Sequence, residues 1–527
     1  MSSKIPEGAG DRLTRGTIMA LVAMSLAVFV VANDFTALSV ALPQIERQFD
    51  SDVGGVQWVI NAYALVFGVF IVTGGRLADM FGRRRMFFVG AGLFAVFSVL
   101  GGVAQSAGWL IAARALMGIG GALMWPATLG MTYAILPESK AGLAGGLIIG
   151  VAGIGNALGP LLGGVLTDVA SWRWVLLLNL PVAAIACFVT WREVKLPQVD
   201  LARGRIDYWG VVSLSLGLTA LLVALDQITD WGFGDPRVIG LLIAFVILIA
   251  AFPFIERRAG EDALLPPELI HKRQFMVACA VVPLLGTGFF VLLLYLPQFM
   301  QKLLGYSPLQ AGVGLLPMMA VFGAVSFVAG NLYNRMGARL SAAAGAGCIT
   351  IGLVVVGFAD VSTGYGLLAV GMAVFGVGVG LAFSSLTTAG VTALDPAHAS
   401  LAGGVLYMSQ VAGSSVGLGL VTAIFTTTAQ DKVHRVGVVR GLTQVQEHAV
   451  NGILAGTGSA QHLLSEFPQA GPALNALSRQ AFVEGTQTGF RVAAGLAALG
   501  FVIAAVLIKG RPQASPAPIA EPSAAAA

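Results

Sequence analysis

The sequence predicts an all-α integral membrane protein: two six-helix bundles with two further spans inserted between them, fourteen transmembrane helices in all. Three observations predict it. The 527-residue chain is 57% hydrophobic and only 11% charged, with a mean hydropathy of +0.84, whereas soluble chains carry about 25% charged residues. Apolar runs long enough to cross a hydrocarbon core of about 30 Å recur along the whole chain. A short glycine- and arginine-bearing element occurs twice, half a chain apart. The 69 glycines fit the same class, because glycine lets helices approach closely in lipid.

The runs lie near 17–41, 56–75, 86–105, 109–131, 142–165, 174–191, 207–226 and 237–254, then 275–296, 310–330, 339–358, 365–389, 400–425 and 488–508. An even number places both termini on one side, and the basic residues choose the side. With the N-terminus inside, the inner segments collect most Lys and Arg, including Arg76, Arg83, Arg84, Arg85, Arg257, Arg258, Lys272 and Arg273. The short outer loops hold one each at most: Arg47, Arg173, Arg237 and Lys302. A multi-pass protein of the cytoplasmic membrane with both termini cytoplasmic is expected. The opening "MSSKIPEGAGDRLTRGT" is too polar, and the run after it too long, for a cleaved signal peptide.

The repeat sets the domain organisation. "GRLADMFGRRR" from Gly75 aligns with "GNLYNRMGARL" from Gly330, pairing Gly75 with Gly330, Asp79 with Asn334, Gly82 with Gly337 and Arg84 with Arg339. "LPQIERQF" at Leu42 aligns likewise with "LPQFMQKL" at Leu296. Spans 1–2 therefore correspond to spans 9–10. The expected units are a tail over 1–16, a six-helix bundle over 17–192 and a linker with spans 7 and 8 over 193–274. A second bundle follows over 275–508, including an outer segment 426–487, and then a disordered Pro/Ala-rich tail over 509–527. The outer segment is too polar to span, and its runs "QVQEHAVNGILAG" and "AQHLLSEF" suit short helices at the outer mouth. Parallel repeats of this kind are a transporter architecture with a substrate site between the halves.

At this point the chain resembles a known family. The first repeat element is similar to the loop signature Gly-x-Leu-x-Asp-x-x-Gly-Arg-Arg of the major facilitator superfamily. "GLIIGVAGIGNALGPLLGG" in span 5 resembles the antiporter motif of its drug exporters, through Gly146, Gly155, Gly159, Pro160, Gly163 and Gly164. "RALMGIGGALMWP" resembles the motif built on an intramembrane arginine, here Arg114, and "WRWVLLLNLP" with "DFTALSVALP" resembles the fourteen-span drug:proton antiporter branch. The resemblance implies the major facilitator fold, and it implies that Gly75, Asp79, Gly82, Arg83 and Arg84 form a conformational latch at the inner face. Asn334 replaces the acid in the second copy, so a weaker latch is expected there.

The residues themselves carry a second line of inference. Asp34 lies inside the first apolar run, with Asn33, Thr36 and Ser39 as its polar company. A charge at the bilayer centre costs roughly 2.5–3.5 kcal/mol on insertion scales, and low dielectric favours the neutral acid. A carboxylate facing a cavity between the halves can hold a proton and a cationic drug by turns, which is exchange by competition for one site; a helix-packing aspartate bonded to a neighbouring serine or threonine is the alternative. Arg114 is the second buried charge and needs a partner or water; it is a candidate to tune a carboxylate or relay a proton, with a structural anchor as the alternative. Gly155, Gly159 and Gly163 repeat at four residues and present a flat face, and Pro160 removes one helix hydrogen bond; a tight, bent packing between the halves is expected there. Of Trp58, Tyr63, Phe67, Tyr295 and Tyr407, which suit flat cations by cation–π contact, Tyr63 is the strongest candidate, and Asn33 and Tyr295 are weaker cavity candidates. Asp360 and Asp395 fall at loop edges and leave the second half without a clear acidic counterpart.

No Gly-x-x-x-x-Gly-Lys-Ser/Thr occurs, so ATP drive is not expected. The five histidines, His271, His398, His434, His448 and His462, fall in expected loops without metal-ligand spacing. Cys187, Cys279 and Cys348 read as buried apolar residues rather than a disulfide framework. No cofactor, metal or nucleic acid is expected, and no enzymatic activity. The expected function is export of lipophilic, cationic compounds in exchange for protons, by a monomer in membrane lipid. Export of an endogenous metabolite, lipid or siderophore is the alternative within transport, and a polytopic membrane enzyme or a sensor is the alternative outside it.

Overall fold

The computed structural model describes residues 13–49, 53–194, 206–232, 234–360, 362–440, 443, 450 and 471–509. All regular structure among them is helical. The first half comprises α1 (Arg15–Ala37), α2 (Val53–Phe81), α3 (Arg83–Gly102), α4 (Ala107–Ile135), α5 (Ala141–Val169) and α6 (Asn179–Glu193). The inserted pair is α7 (Tyr208–Trp231) and α8 (Pro236–Ala259). The second half begins with α9 (Arg273–Lys302) and continues through Leu316–Val356, α12 (Tyr365–Val391), α13 (Ala399–Arg440) and α14 (Gly471–Leu507).

Leu316–Val356 is two spans in one element. Its 41 residues would reach about 60 Å at 1.5 Å per residue, twice the hydrocarbon thickness. Gly337 breaks it with φ 80° and ψ 165°, a left-handed backbone open to glycine. The two arms, 316–336 and 338–356, are α10 and α11. Gly82 makes the matching turn between α2 and α3 with φ 98°. With Leu316–Val356 counted as two passes, the helices among the described residues that are long and apolar enough to cross a bilayer give fourteen spans.

The sequence caps its helices locally. The Thr14 hydroxyl accepts the Thr17 N–H at α1, and the Ser106 hydroxyl accepts the Trp109 N–H at α4. Asp235 accepts the Arg237 N–H at α8, with Pro236 at the first helical position. Asp360 and Asp395 do act as loop-edge turn residues, accepting the N–H groups of Ser362 and Ala397.

In the first half α2 and α3 pack on α4, and α1 packs on α5 and α6. In the second, α10 and α11 pack on α12, and α9 packs on α13 and α14. The halves meet along two related seams: α2 lies against α13, and α5 lies against the Leu316–Val356 element. Each seam puts the second span of one half on the fifth span of the other. The inserted α7 touches both α2 and α13, while α8 packs on α7. Ile239, Ile243, Val246, Ile247 and Phe254 of α8 are exposed, as an apolar helix facing lipid requires.

The segment 426–487 departs from its expected form. The final two spans do not stop at the apolar boundary: α13 runs on to Arg440 and α14 begins at Gly471. Two polar stretches are thereby held as helix. Glu484 on α14 pairs with Lys432 at 2.9 Å and Arg435 at 3.0 Å on α13. Val433 and Ala429 pack on Leu474, Leu477 and Ala481, so a small apolar core supports the pair. Of the two expected short helices, 444–456 lies outside the described residues apart from Val450, and 460–467 lies outside them entirely.

Candidate functional site

The carboxylate of Asp34 sits where four helices of the first half converge, and it is 1% exposed. Arg114 of α4 reaches across and donates Nη1 to Asp34 Oδ2, with Nη2 3.4 Å from the Asp34 carbonyl. Its Nε donates to the Val59 carbonyl at 2.9 Å. The guanidinium lies over the Tyr63 ring, 4.4 Å from its centroid, and the Tyr63 hydroxyl donates to the Val31 carbonyl at 3.3 Å. The other carboxylate oxygen, Oδ1, accepts Asn179 Nδ2 at 2.9 Å. The same amide nitrogen donates to Ser98 Oγ at 3.0 Å, and Ser98 donates to the Leu176 carbonyl at 2.7 Å. The site is a fully buried ion pair whose acid has donors on both oxygens.

In the sequence Asp34 and Arg114 stand out separately; the fold brings them together. A cavity between the halves is the expected surrounding of Asp34, and the structure turns it into the first half instead, because every donor that satisfies it comes from α4 or α6. Asn179 lies within "WRWVLLLNLP" but is not singled out there, and Ser98 does not stand out at all, since a polar residue in an apolar run signals a buried partner without naming it. The stretch before Asn179 is anchored at its far end: Trp172 Nε1 and Arg173 Nη1 both donate to Gln48 Oε1 at 2.8 Å, and Arg173 Nη2 donates to the Ala104 carbonyl at 2.8 Å.

Aromatic rings lead from this pair to the seam. Phe35 meets Tyr63 edge-on at 4.7 Å and Phe67 at 5.1 Å. Phe67 and Trp125 of the first half then meet Tyr407 of α13, at 5.6 Å and 4.8 Å. Tyr295 does not join them: its hydroxyl donates to Thr422 Oγ1 at 2.9 Å and its ring lies on Phe425, within the second half. Asn33 is buried with its amide oxygen unpartnered.

At the face where α1 begins and α14 ends, called here the terminal face, Asp79 links the halves. Its carboxylate accepts the N–H groups of Ser400 at 3.3 Å and Leu401 at 2.8 Å, two of the unpaired donors at the start of α13. Arg83 pairs with Asp79 at 3.1 Å, donates to the Gly130 carbonyl at 3.1 Å and donates to the Pro396 carbonyl in the second half. Gly75 allows the approach: a Cβ there would lie 2.7 Å from the Ser400 carbonyl oxygen. Gly82 supplies the left-handed turn before α3. Arg84 stands apart from this group, donating to the Trp191 carbonyl of its own half at 2.7 Å.

The span-5 glycines divide by position. Gly146 faces the Ser326 carbonyl and Gly142 the Gly330 carbonyl of the second half. Gly155, Gly159 and Gly163, expected at the seam, instead lie on α1, against Phe29 and Ala32, Asn33, and Ala37. The helices cross so that the first turns of α5 form the seam and its later turns pack on the helix that carries Asp34. Gly164 is in ordinary contact with Val40. Pro160 cannot donate to the Asn156 carbonyl, and the Thr36 hydroxyl of α1 does so instead at 2.9 Å.

Comparison with known proteins agrees with this architecture. Residues 24–418 match the family described as Major Facilitator Superfamily. The chain is 31% identical over 419 residues to the multidrug resistance protein Stp of Mycobacterium tuberculosis, covering 78% of this chain and 76% of that one. It is 28% identical over 510 residues to the tetracenomycin C resistance and export protein of Streptomyces glaucescens, covering 93% and 92%. The solved structure of the human organic anion transporter MFSD10 superposes with a TM-score of 0.58 at 13% identity, covering 93% of this chain and 99% of that one. With three quarters of its length inside the family match and this fold around it, the chain belongs to the Major Facilitator Superfamily.

Proposed function

We propose that the protein is a proton-coupled antiporter that exports lipophilic, cationic drugs or dyes across the cytoplasmic membrane, working as a monomer by alternating access. The observation that carries this reading is the buried Asp34–Arg114 pair. Breaking a buried pair by removing one charge costs about 3–5 kcal/mol, so Asp34 gives up Arg114 only when something else neutralises it. A proton or a cation does that, and the two exclude each other on one carboxylate. Arg114, once released, keeps the Val59 carbonyl and the Tyr63 face, so it stays in place for the next cycle. The ring path from Tyr63 to Tyr407 suits a flat lipophilic cation, and the unpartnered Asn33 oxygen offers it an acceptor. The terminal face is the cytoplasmic one in this reading, and the Asp79–Arg83 contacts to α13 are the latch that holds it shut.

The test is transport in proteoliposomes with an imposed pH gradient and ethidium as cargo. Asp34→Asn is expected to insert and purify normally while losing gradient-driven dye accumulation and dye-induced proton release by at least about tenfold. Normal accumulation by that variant refutes the reading. A second reading, export of a single antibiotic-like natural product, is favoured by the name of the Streptomyces relative; indifference to ethidium with movement of such a compound selects it.

A further inference from the structure

A buried acid that cycles between charged and neutral forms poses a hydrogen-bonding problem. Ionised, it needs donors on both oxygens; protonated, it needs an acceptor for its new O–H. An unmet buried polar group in either state is costly, and a partner that serves only one state locks the acid in that state. Arg114 cannot receive that O–H, because a guanidinium has donors and no acceptor.

Asn179 differs in kind. Its amide carries donors on one side and an acceptor on the other. In this structure Nδ2 faces Asp34 Oδ1 at 2.9 Å and Ser98 Oγ at 3.0 Å, while Ser98 turns its own proton to the Leu176 carbonyl at 2.7 Å. Turning the amide by half a rotation about its last side-chain bond presents Oδ1 to the same two neighbours. That oxygen accepts the O–H of protonated Asp34, and Ser98, a hydroxyl free to rotate, redirects its proton to it. Both arrangements leave Asp34 paired and neither moves the backbone.

We propose that Asn179, backed by Ser98, is a positioning residue that pairs Asp34 in both of its protonation states and so lets the proton leave and return inside a dry bundle. This deepens the antiport reading above and rests on it. The other groups facing Asp34 do not supply the second half of the exchange. Arg114 comes from α4 and Tyr63 from α2, the latter with its hydroxyl committed to the Val31 carbonyl. On α5 the acid Asp168 is exposed at the far end, and Arg192 and Glu193 of α6 lie at the terminal face, where Glu193 reaches Gly16.

The experiment measures dye-driven proton release against pH in proteoliposomes for wild type, Asp34→Asn, Asn179→Leu, Asn179→Ser and Ser98→Ala. A partner to the charged form alone would shift the midpoint of the profile when lost, whereas a partner to both forms leaves the midpoint near its place and slows the exchange on both sides of it. Asn179→Leu is expected to slow dye-driven proton release about tenfold on both limbs of the profile, with the midpoint moving by less than about half a pH unit and ethidium binding at equilibrium kept. Asn179→Ser, which is smaller than Asn and too short to bridge, should slow it in the same way should the Leu variant fail to fold. Ser98→Ala is expected to slow it by less. A folded Asn179 variant with wild-type turnover, or one whose only change is a shifted midpoint, overturns the inference while Asp34→Asn remains inactive. Proton-coupled transport that survives in Asp34→Asn overturns the antiport reading, whatever Asn179 does.

Discussion

The two copies of the repeated element use the same backbone and different chemistry. Gly82 and Gly337 both turn the chain with positive φ. Gly75 brings α2 onto the start of α13, and Gly330 brings α10 onto the start of α5, where a Cβ would lie 2.6 Å from the Gly142 carbonyl oxygen. The side chains then part company. Asp79 is buried, accepts two N–H groups of the facing helix and holds Arg83. Asn334, at the matching place, is exposed and donates Nδ2 to the Ser139 carbonyl at 2.8 Å. The first contact is charged and caps a helix dipole; the second is one neutral hydrogen bond. Close packing is thus shared by both seams, and the buried charged contact belongs to the first.

Substitutions at the two seams test that division. Asp79→Ala strips a buried arginine of its partner and a helix of its cap. At about 3–5 kcal/mol, the terminal-face-closed population should fall by roughly a hundredfold or more relative to open forms. Spin-label distances between the terminal-face ends of α2 and α13 read this directly, and dye export should collapse with it. Gly75→Ala and Gly330→Ala each force two backbones apart, at about 1–3 kcal/mol, and should shift the same distances by similar amounts in the two copies. Asn334→Ala removes one exposed hydrogen bond, about 1 kcal/mol or less, and should slow export no more than about fivefold. Asn334→Asp sharpens the contrast, because a carboxylate cannot donate to the Ser139 carbonyl: it should weaken the second seam rather than build a second latch. An Asn334→Ala effect as large as that of Asp79→Ala would end the distinction.

Much of the scaffold is legible in the sequence because lipid imposes it. Span lengths, the repeat and the paired glycines each follow from one physical demand that acts locally along the chain. The site is less legible because its demands are met across the bundle. Asp34 and Arg114 stand out as expensive residues, but nothing local says that they meet, and Asn179 is an ordinary polar residue until Asp34 is found beside it. The glycines at 155, 159 and 163 announce close packing without naming the neighbour, and α1, not the other half, is what they touch. The helical extensions of α13 and α14 are hidden for a further reason: a polar stretch loses its apolar signal outside the bilayer, and here it is held by a few side chains on the facing helix, Glu484 foremost.

The length of α13 has a mechanical consequence. Its 42 residues make a rod of about 60 Å, and the two N–H groups held by Asp79 sit at its foot. A tilt of about ten degrees around that foot would sweep the distant tip through about 10 Å. The tip is clamped to α14 through Glu484, so the pair would travel as one arm. A small adjustment at one end of the helix would thereby be geared into a large displacement of protein at the other.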